Sequence, residues 1–424
     1  MAGATRRRAP ALSNTQRPAD LPADLDFIDM GHSVKRTDPF HRTSRLPVTL
    51  ILSAVAVGTF LLWPSSIDPA AWTPPAAPAL AGPTAPNQAL ERAERMAQGD
   101  IVGPEDLAVD ASGRIWGGLV DGRIVRFLPD GDIETVYDTG GRPLGLHFDA
   151  EGRLLIADAS AGLLRLYEGP DAATRVETLT TEADGVPFRF TDDLDIASDG
   201  KIYFSDASHR WDHHHYLHDL LEAKPHGRLL VYDPADGTTR VLLEDLYFAN
   251  GIALSQNEDF VLVNETYRYR ITRYWLDGPE AGTSDVFIDN LPCIPDGVSA
   301  NRRGTFWVAC FTVRNERADK LQPRPFMKKQ LVKLPRALWP QPEPHGVVLQ
   351  LDESAAIIAS FHDPGGEVIP EVTSVEEHNG WLYLGNLKRE FAARFRLPAQ
   401  SPAASDSDSP DSPSSEPDSS DSVP

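Results

Sequence analysis

The chain has 424 residues, with 62 Asp and Glu against 40 Lys and Arg, a formal net charge of −22. That balance excludes the broad basic surface a nucleic-acid binder needs, while 41% hydrophobic residues can build a large core. Cys293 and Cys310 are the only cysteines, too few for a disulfide framework, and they read equally as a bridge or as two buried thiols.

Residues 1–45 are polar and hold eight Lys or Arg; low hydrophobicity predicts a disordered segment. Leu46 to Trp63, LPVTLILSAVAVGTFLLW, is an uncharged run of 18 residues, near the ~20 that cross a bilayer core. Lys35, Arg36, Arg42 and Arg45 precede it, and no basic residue follows before Arg92. The positive-inside bias puts the N-terminus in the cytoplasm and the rest outside it. A cleaved signal peptide would lie nearer the N-terminus with a shorter apolar region, so an uncleaved anchor is expected. Residues 64–87 are rich in Pro and Ala and predict a semi-rigid spacer lifting the domain off the membrane. At the other end, 399–424 repeats Ser, Asp and Pro with six acidic residues, a solvated disordered tail.

Between these, over 88–398, the pattern is all-β. Short strands such as RLLIADA, KIYFSDA, DFVLVNE and WLYLGNL follow Asp-Gly-type turns. One eight-residue interval recurs from a marked residue to a turn position: Glu105 to Gly113, Leu144 to Gly152, Asp192 to Gly200, Asn250 to Glu258, Asp296 to Gly304, Val372 to Gly380. Six units of about 40–60 residues predict a six-bladed β-propeller. The intervals between marked residues, 39, 48, 58, 46 and 76, place insertions at about 208–226 and 313–345. Residues 88–101 are expected to supply the strand that closes the ring.

The first strand of each propeller blade lines the central channel, so the marked residues should converge. Glu105, Asp192, Asn250 and Asp296 would then form three carboxylates and one amide. An all-oxygen set suits Ca²⁺, or Mg²⁺ or another hard divalent cation, with waters completing the shell. The competing structural role is turn capping, common for Asp and Asn, but four in one register favour metal. Asp106, Asp193 and Asp195 read as supporting residues. A further set lies six residues after each turn position, including Asp158, Asp206 and Asn264, and should end the returning strands; for Asp158 and Asp206 turn capping is the preferred role. The run holding His209, His213, His214, His215 and His218 reads as a rim loop. His147, by alternation, should point away from the axis. No Gly-x-Ser-x-Gly, Walker or dinucleotide-binding fingerprint occurs, so a metal is the economical electrophile, with Asp296 the candidate catalytic base.

GPEDLAVD, FTDDLDIASDGKIYFSDAS, LPCIPDGVSA, EEHNGWLYLGNL and the string from Gly227 to Leu254 resemble the strictosidine synthase-like family, over about 100–398. The resemblance implies a propeller related to paraoxonase and regucalcin-type gluconolactonases, many of which hold calcium in the channel. It carries the metal positions onto Glu105, Asp192, Asn250 and Asp296, with Asp192 where the family usually has Asn. The condensing glutamate of the plant synthases falls at Thr373 and the paraoxonase-type histidine at Leu144, which disfavours both chemistries. What the resemblance leaves is a membrane-anchored, metal-dependent hydrolase of aryl esters or lactones. The alternative is a non-catalytic, calcium-stabilised propeller binding a protein or carbohydrate.

Overall fold

Six four-stranded antiparallel sheets succeed one another along the chain in the computed structural model, which describes residues 46–168 and 174–398. The expectations for 1–45 and 399–424 lie outside the described residues. The inner strands of the six blades are Leu107–Val109, Pro143–Phe148, Thr191–Ile196, Ala249–Leu254, Cys293–Ala300 and Val375–His378. The sixth blade takes its outermost strand from the other end of the chain. Glu94–Met96 pairs with Ala392–Arg396, Glu94 opposite Arg394 and Met96 opposite Ala392. The ring is therefore closed as 88–101 led one to expect.

The core lies between blades rather than inside one. Ala108 and Trp116 of blade one pack with Leu146 and Ile156 of blade two, while Leu107 on the opposite face packs with Tyr383 of blade six. With a neighbour on each face, a middle strand is buried along its length. All six residues of Phe260–Glu265 are buried, hence its near-continuous apolar sequence. The turn position in blade four is Glu258, held at φ +59, where a non-glycine residue is strained. Its carboxylate accepts bonds from the Ser198 N–H (2.8 Å) and Oγ (2.7 Å) in blade three, which offsets that cost and ties the two blades together.

The insertions expected at 208–226 and 313–345 follow the second strands of blades three and five. The first carries the helix α2 (Tyr216–Glu222), and the second carries α3 (Glu316–Leu321) and α4 (Pro325–Leu331). The expected spacer at 64–87 departs from the sequence reading: it is a strap laid on the propeller. Ala70 N–H donates to Glu222 O, Lys328 Nζ donates to Ala70 O at 2.7 Å, and Arg314 Nη2 to Pro75 O at 2.7 Å. Trp72 lies under the Arg268 guanidinium at 4.2 Å. Its prolines fix an extended backbone whose carbonyls these side chains satisfy.

Cys293 and Cys310 form a disulfide between the first two strands of blade five. Residues 46–63 fall in a separate unit ending at Trp63. Its helix α1 (Leu46–Leu62) has 17 residues, and Leu50, Leu52 and Val55 are each at least 60% exposed. Among the described residues no helix is long and apolar enough to cross a membrane.

Candidate metal centre in the central channel

The marked residues share a backbone device. Ladder register shifts fall between Thr191 and Leu194, Ala249 and Ile252, and Pro295 and Val298. Each break is a β-bulge that contains Asp192, Asn250 or Asp296 and re-aims side chains at a strand end. Close packing around the axis demands a missing side chain beside them. A Cβ on Gly251 would lie 2.2 Å from Val298 N, and one on Gly385 2.0 Å from Glu105 O. The inner strands of blades four and five thus touch backbone to backbone, and the end of the second strand of blade six touches Glu105 in the same way.

Glu105, Asp192 and Asn250 line one channel cavity, and the Asn250 amide donates to Asp296 Oδ1. All four predicted residues are therefore brought together. Glu105 is 8% exposed, Asp192 4% and Asn250 5%. Burial pushes the Glu105 carboxyl well up, and the negative charges of Asp192 and Asp296 push it further. Asp192 is raised by burial first and then by Asp296, and burial lifts Asp296 to about 7. Buried Arg142 is the cation that bears on Glu105 and Asp192. Nothing in the recurrent interval pointed to it. Asn264 Nδ2 supports the ring from behind, donating to Asp296 O at 2.6 Å.

Two observations bear on a cation. Asp192 Oδ2 is buried and has no hydrogen-bond partner among the described residues, an unfavourable state for a carboxylate oxygen unless something charged meets it. The donor set is all oxygen, the chemistry that Ca²⁺ takes. The residues present fit such an ion. Among the described residues, however, no group of three or more His, Cys, Asp or Glu stands at metal-binding spacing; the fourth member of the ring is an amide, and it bonds to Asp296.

Blade six corrects the register by one residue. Val372 is fully buried in the core between blades five and six, whereas Thr373 lines the channel. Its Oγ1 donates to Glu105 O at 2.6 Å. The hairpin of that blade turns on two residues, Asn379 and Gly380, between the paired His378 and Trp381. Blades one to three use five, as between Val109 and Ile115. The same reasoning was wrong for His147, which lines the cavity, 3.8 Å from Asp195 Oδ1. A register shift between Pro143 and Gly145 breaks the alternation before it.

Asp106 and Asp193, beside the candidate ligands Glu105 and Asp192, also face the cavity and clamp neighbouring blades. Asp106 Oδ2 accepts from Leu146 N at 2.8 Å, and Asp193 Oδ2 from Ile252 N at 2.8 Å. Burial raises Asp106 to about 6 and Glu376 to about 8. The cavity is about 50 Å³, room for a few waters and not for an organic molecule. On the rim side lie Leu144, Phe190, Phe248 and Tyr267, packed under Tyr216 and Leu220 of the α2 insertion. Asp158 and Asp206 serve turns and strand ends. Asp158 Oδ1 accepts from the N–H groups of Arg142, Ser160 and Ala161, and Asp206 accepts from Phe190 N and Arg228. The histidine run forms a short 3-10 turn, His213–His215, leading into α2.

A six-bladed propeller with buried oxygen donors converging on its channel is the class that fold and site define. Within it, the chain belongs to the strictosidine synthase-like family. The family model for strictosidine synthase matches residues 192–279, and that for the strictosidine synthase-like N-terminal region matches 82–127. The chain is 35% identical over 376 residues to the adipocyte plasma membrane-associated protein of Bos taurus, covering 84% of this chain and 91% of that one. It is 35% identical over 378 residues to the Homo sapiens protein of that name, covering 84% and 90%. Strictosidine synthase-like protein 6 of Arabidopsis thaliana is 35% identical over 321 residues, 73% and 84% of the two chains. Among solved structures, a gluconolactonase from Xanthomonas campestris shares the fold at TM-score 0.52 and 17% identity, covering 80% of this chain and 99% of that one.

Proposed function

We propose that this chain is a membrane-anchored propeller that holds a calcium ion in its channel and hydrolyses an aryl ester or lactone there. The unpartnered, buried Asp192 Oδ2 carries the reading, because a hard cation is the partner that such an oxygen lacks. Glu105, Asp192, Asn250 and Asp296 would hold the ion. When bound, the ion supplies polarisation of a carbonyl and a lowered pKa for a bound water. Asp296 would take the proton; the Asn250 amide donates to its Oδ1, and Asn264 holds its main-chain carbonyl. Phe190, Phe248 and Tyr267 offer an aromatic wall to the acyl or aryl group. The cavity itself admits only waters, so in this reading the substrate would meet the ion from the side of that wall, over which Tyr216 and Leu220 of α2 pack.

The small cavity and its apolar cover favour a second reading, in which calcium only locks the blades and the rim binds a protein or carbohydrate. A strictosidine-type condensation is disfavoured, because Thr373 takes the place of the condensing glutamate and its hydroxyl is bonded to Glu105 O. Melting with calcium against chelator, followed by a panel of aryl esters and lactones, separates these. A calcium shift with turnover that falls at least ~100-fold in Asp296→Asn supports hydrolysis, the size expected for a lost general base. A shift without turnover supports the binding module, and no shift removes the metal.

The anchor rests on an uncharged helix with exposed Leu and Val side chains, and relatives whose names place them at the plasma membrane point the same way. The disulfide suits an extracytoplasmic propeller, periplasmic in a bacterium, since such bonds persist in oxidising compartments. Protease added to sealed vesicles should cut residues 1–45 from the cytoplasmic side only. Protection of that segment with cleavage of the propeller would reverse the topology.

A further inference from the structure

We infer that the ledge built by the blade-five insertion docks the propeller on an anionic phospholipid bilayer. In a chain of net charge −22, residues 313–345 hold eight Lys or Arg against three Asp or Glu, a local excess of five. Two of the acids are spent on neighbours, Asp319 on Arg314 and Glu316 on Lys320. Arg317, Arg324 and Arg336 remain exposed.

The same ledge carries large apolar side chains in water: Phe326 58% exposed, Met327 51% and Leu338 64%. Phe326 and Met327 open α4, and Leu338 ends the turn Arg336–Leu338. Below them the ledge is well packed, with Trp339 buried against Ile67 and Leu221 and Lys328 fully buried on the carbonyl of Ala70. Exposed apolar groups on a firm base, in the same insertion as the exposed Arg317, Arg324 and Arg336, match an interface of acyl chains under anionic headgroups. A propeller surface that only needed solubility would carry the acidic excess of the rest of the chain.

The strap adds a reason to choose a bilayer over a soluble acidic partner. Ile67, Asp68 and Ala70, which follow α1 in the chain by only a few residues, are part of this ledge: Asp68 pairs with Lys224 at 2.8 Å and Lys329 at 3.3 Å. If α1 crosses the membrane, the chain emerging from it passes directly into the ledge. The inference does not depend on the hydrolase reading.

Hydrogen exchange on the full chain in lipid nanodiscs tests it, comparing phosphatidylcholine alone with phosphatidylcholine plus phosphatidylserine. Peptides covering 324–339 should exchange several-fold more slowly in the anionic discs, with the protection lost in high salt. The triple variant Arg317→Glu, Arg324→Glu, Arg336→Glu should abolish that difference while its melting temperature and the exchange of Phe260–Glu265 stay at wild-type values. Equal exchange in the two lipids overturns the proposal. So does protection that appears without lipid together with a doubled mass, which would assign the ledge to a second copy of the chain. Failure of the anchor is separate: the chain would then leave phosphatidylcholine discs, yet bind and be protected on the anionic ones.

Discussion

Removing one oxygen from the channel ring should show first in the melting curve, because an ion that binds only the folded state stabilises it by mass action. At about 100-fold excess over Kd that is about 2.7 kcal/mol. Asp192→Ala is expected to lose the calcium-induced rise in Tm while keeping the chelator-treated Tm at or above the wild-type value, since it removes a buried carboxylate whose Oδ2 has no hydrogen-bond partner among the described residues and which faces the negative charges of Asp296 and Asp193. Calorimetry with and without chelator checks both halves. The ring also sets a pH dependence. The folded-state value of Asp296 is raised from 3.8 to about 7, so between these values the folded chain binds more protons than the unfolded one. Stability of the metal-free protein therefore falls as pH rises through that window, and saturating calcium should remove the fall. Tm against pH, with calcium and with chelator, measures the difference. At this scale the sequence was readable where spacing alone decides position, as for Asp192 and Asp296. Thr373 and His147 escaped it because blade six has a different hairpin and a bulge lies upstream of His147, so neither position keeps the common count. Arg142 was missed because it belongs to no repeat.

Within a blade, the pairing that most resists change is buried and charged. Asp206 is fully buried, meets Arg228 Nη2 at 2.6 Å across two strands of blade three, and also caps the N–H groups of Arg189 and Phe190. Asp206→Ala leaves the buried guanidinium without its carboxylate, though still on the Val186 and Pro187 carbonyls, and loss of about 3–5 kcal/mol is expected, measurable by urea denaturation. The strands themselves were legible, since each middle strand packs on both faces and so reads as an apolar run. The strap was not. A Pro- and Ala-rich stretch reads as a free spacer in isolation, and its partners Arg314, Asn290 and Lys328 lie more than two hundred residues away. The cysteine pair was open for a similar reason, because only strand pairing brings Cys293 beside Cys310.

Across the molecule, stability depends on closing the circle. A chain beginning at residue 64 keeps Glu94–Met96 and should melt cooperatively. One beginning at residue 97 leaves Ala392–Arg396 as an unpaired edge and should melt earlier and aggregate, because an open edge is a template for pairing with another chain. Light scattering during a thermal ramp distinguishes the two. The six-fold plan was visible in the sequence because the recurrent interval is a property of the whole ring. The closing strand, three residues long, carries little signal of its own and was expected only because a ring needs one.

That closing pair joins residues 300 positions apart, Glu94 to Arg394. On the ribosome, the strand at Glu94–Met96 emerges at the start of synthesis and its partner near the end. Until then the nascent propeller is an arc with two raw edges, and its oxygen donors from blades one, three, four and five are not yet gathered about an axis. The channel comes into being late, in one event, when the final blade meets the first strand. A nonsense mutation just before Ala392 would remove that event and leave five complete blades that cannot form a ring.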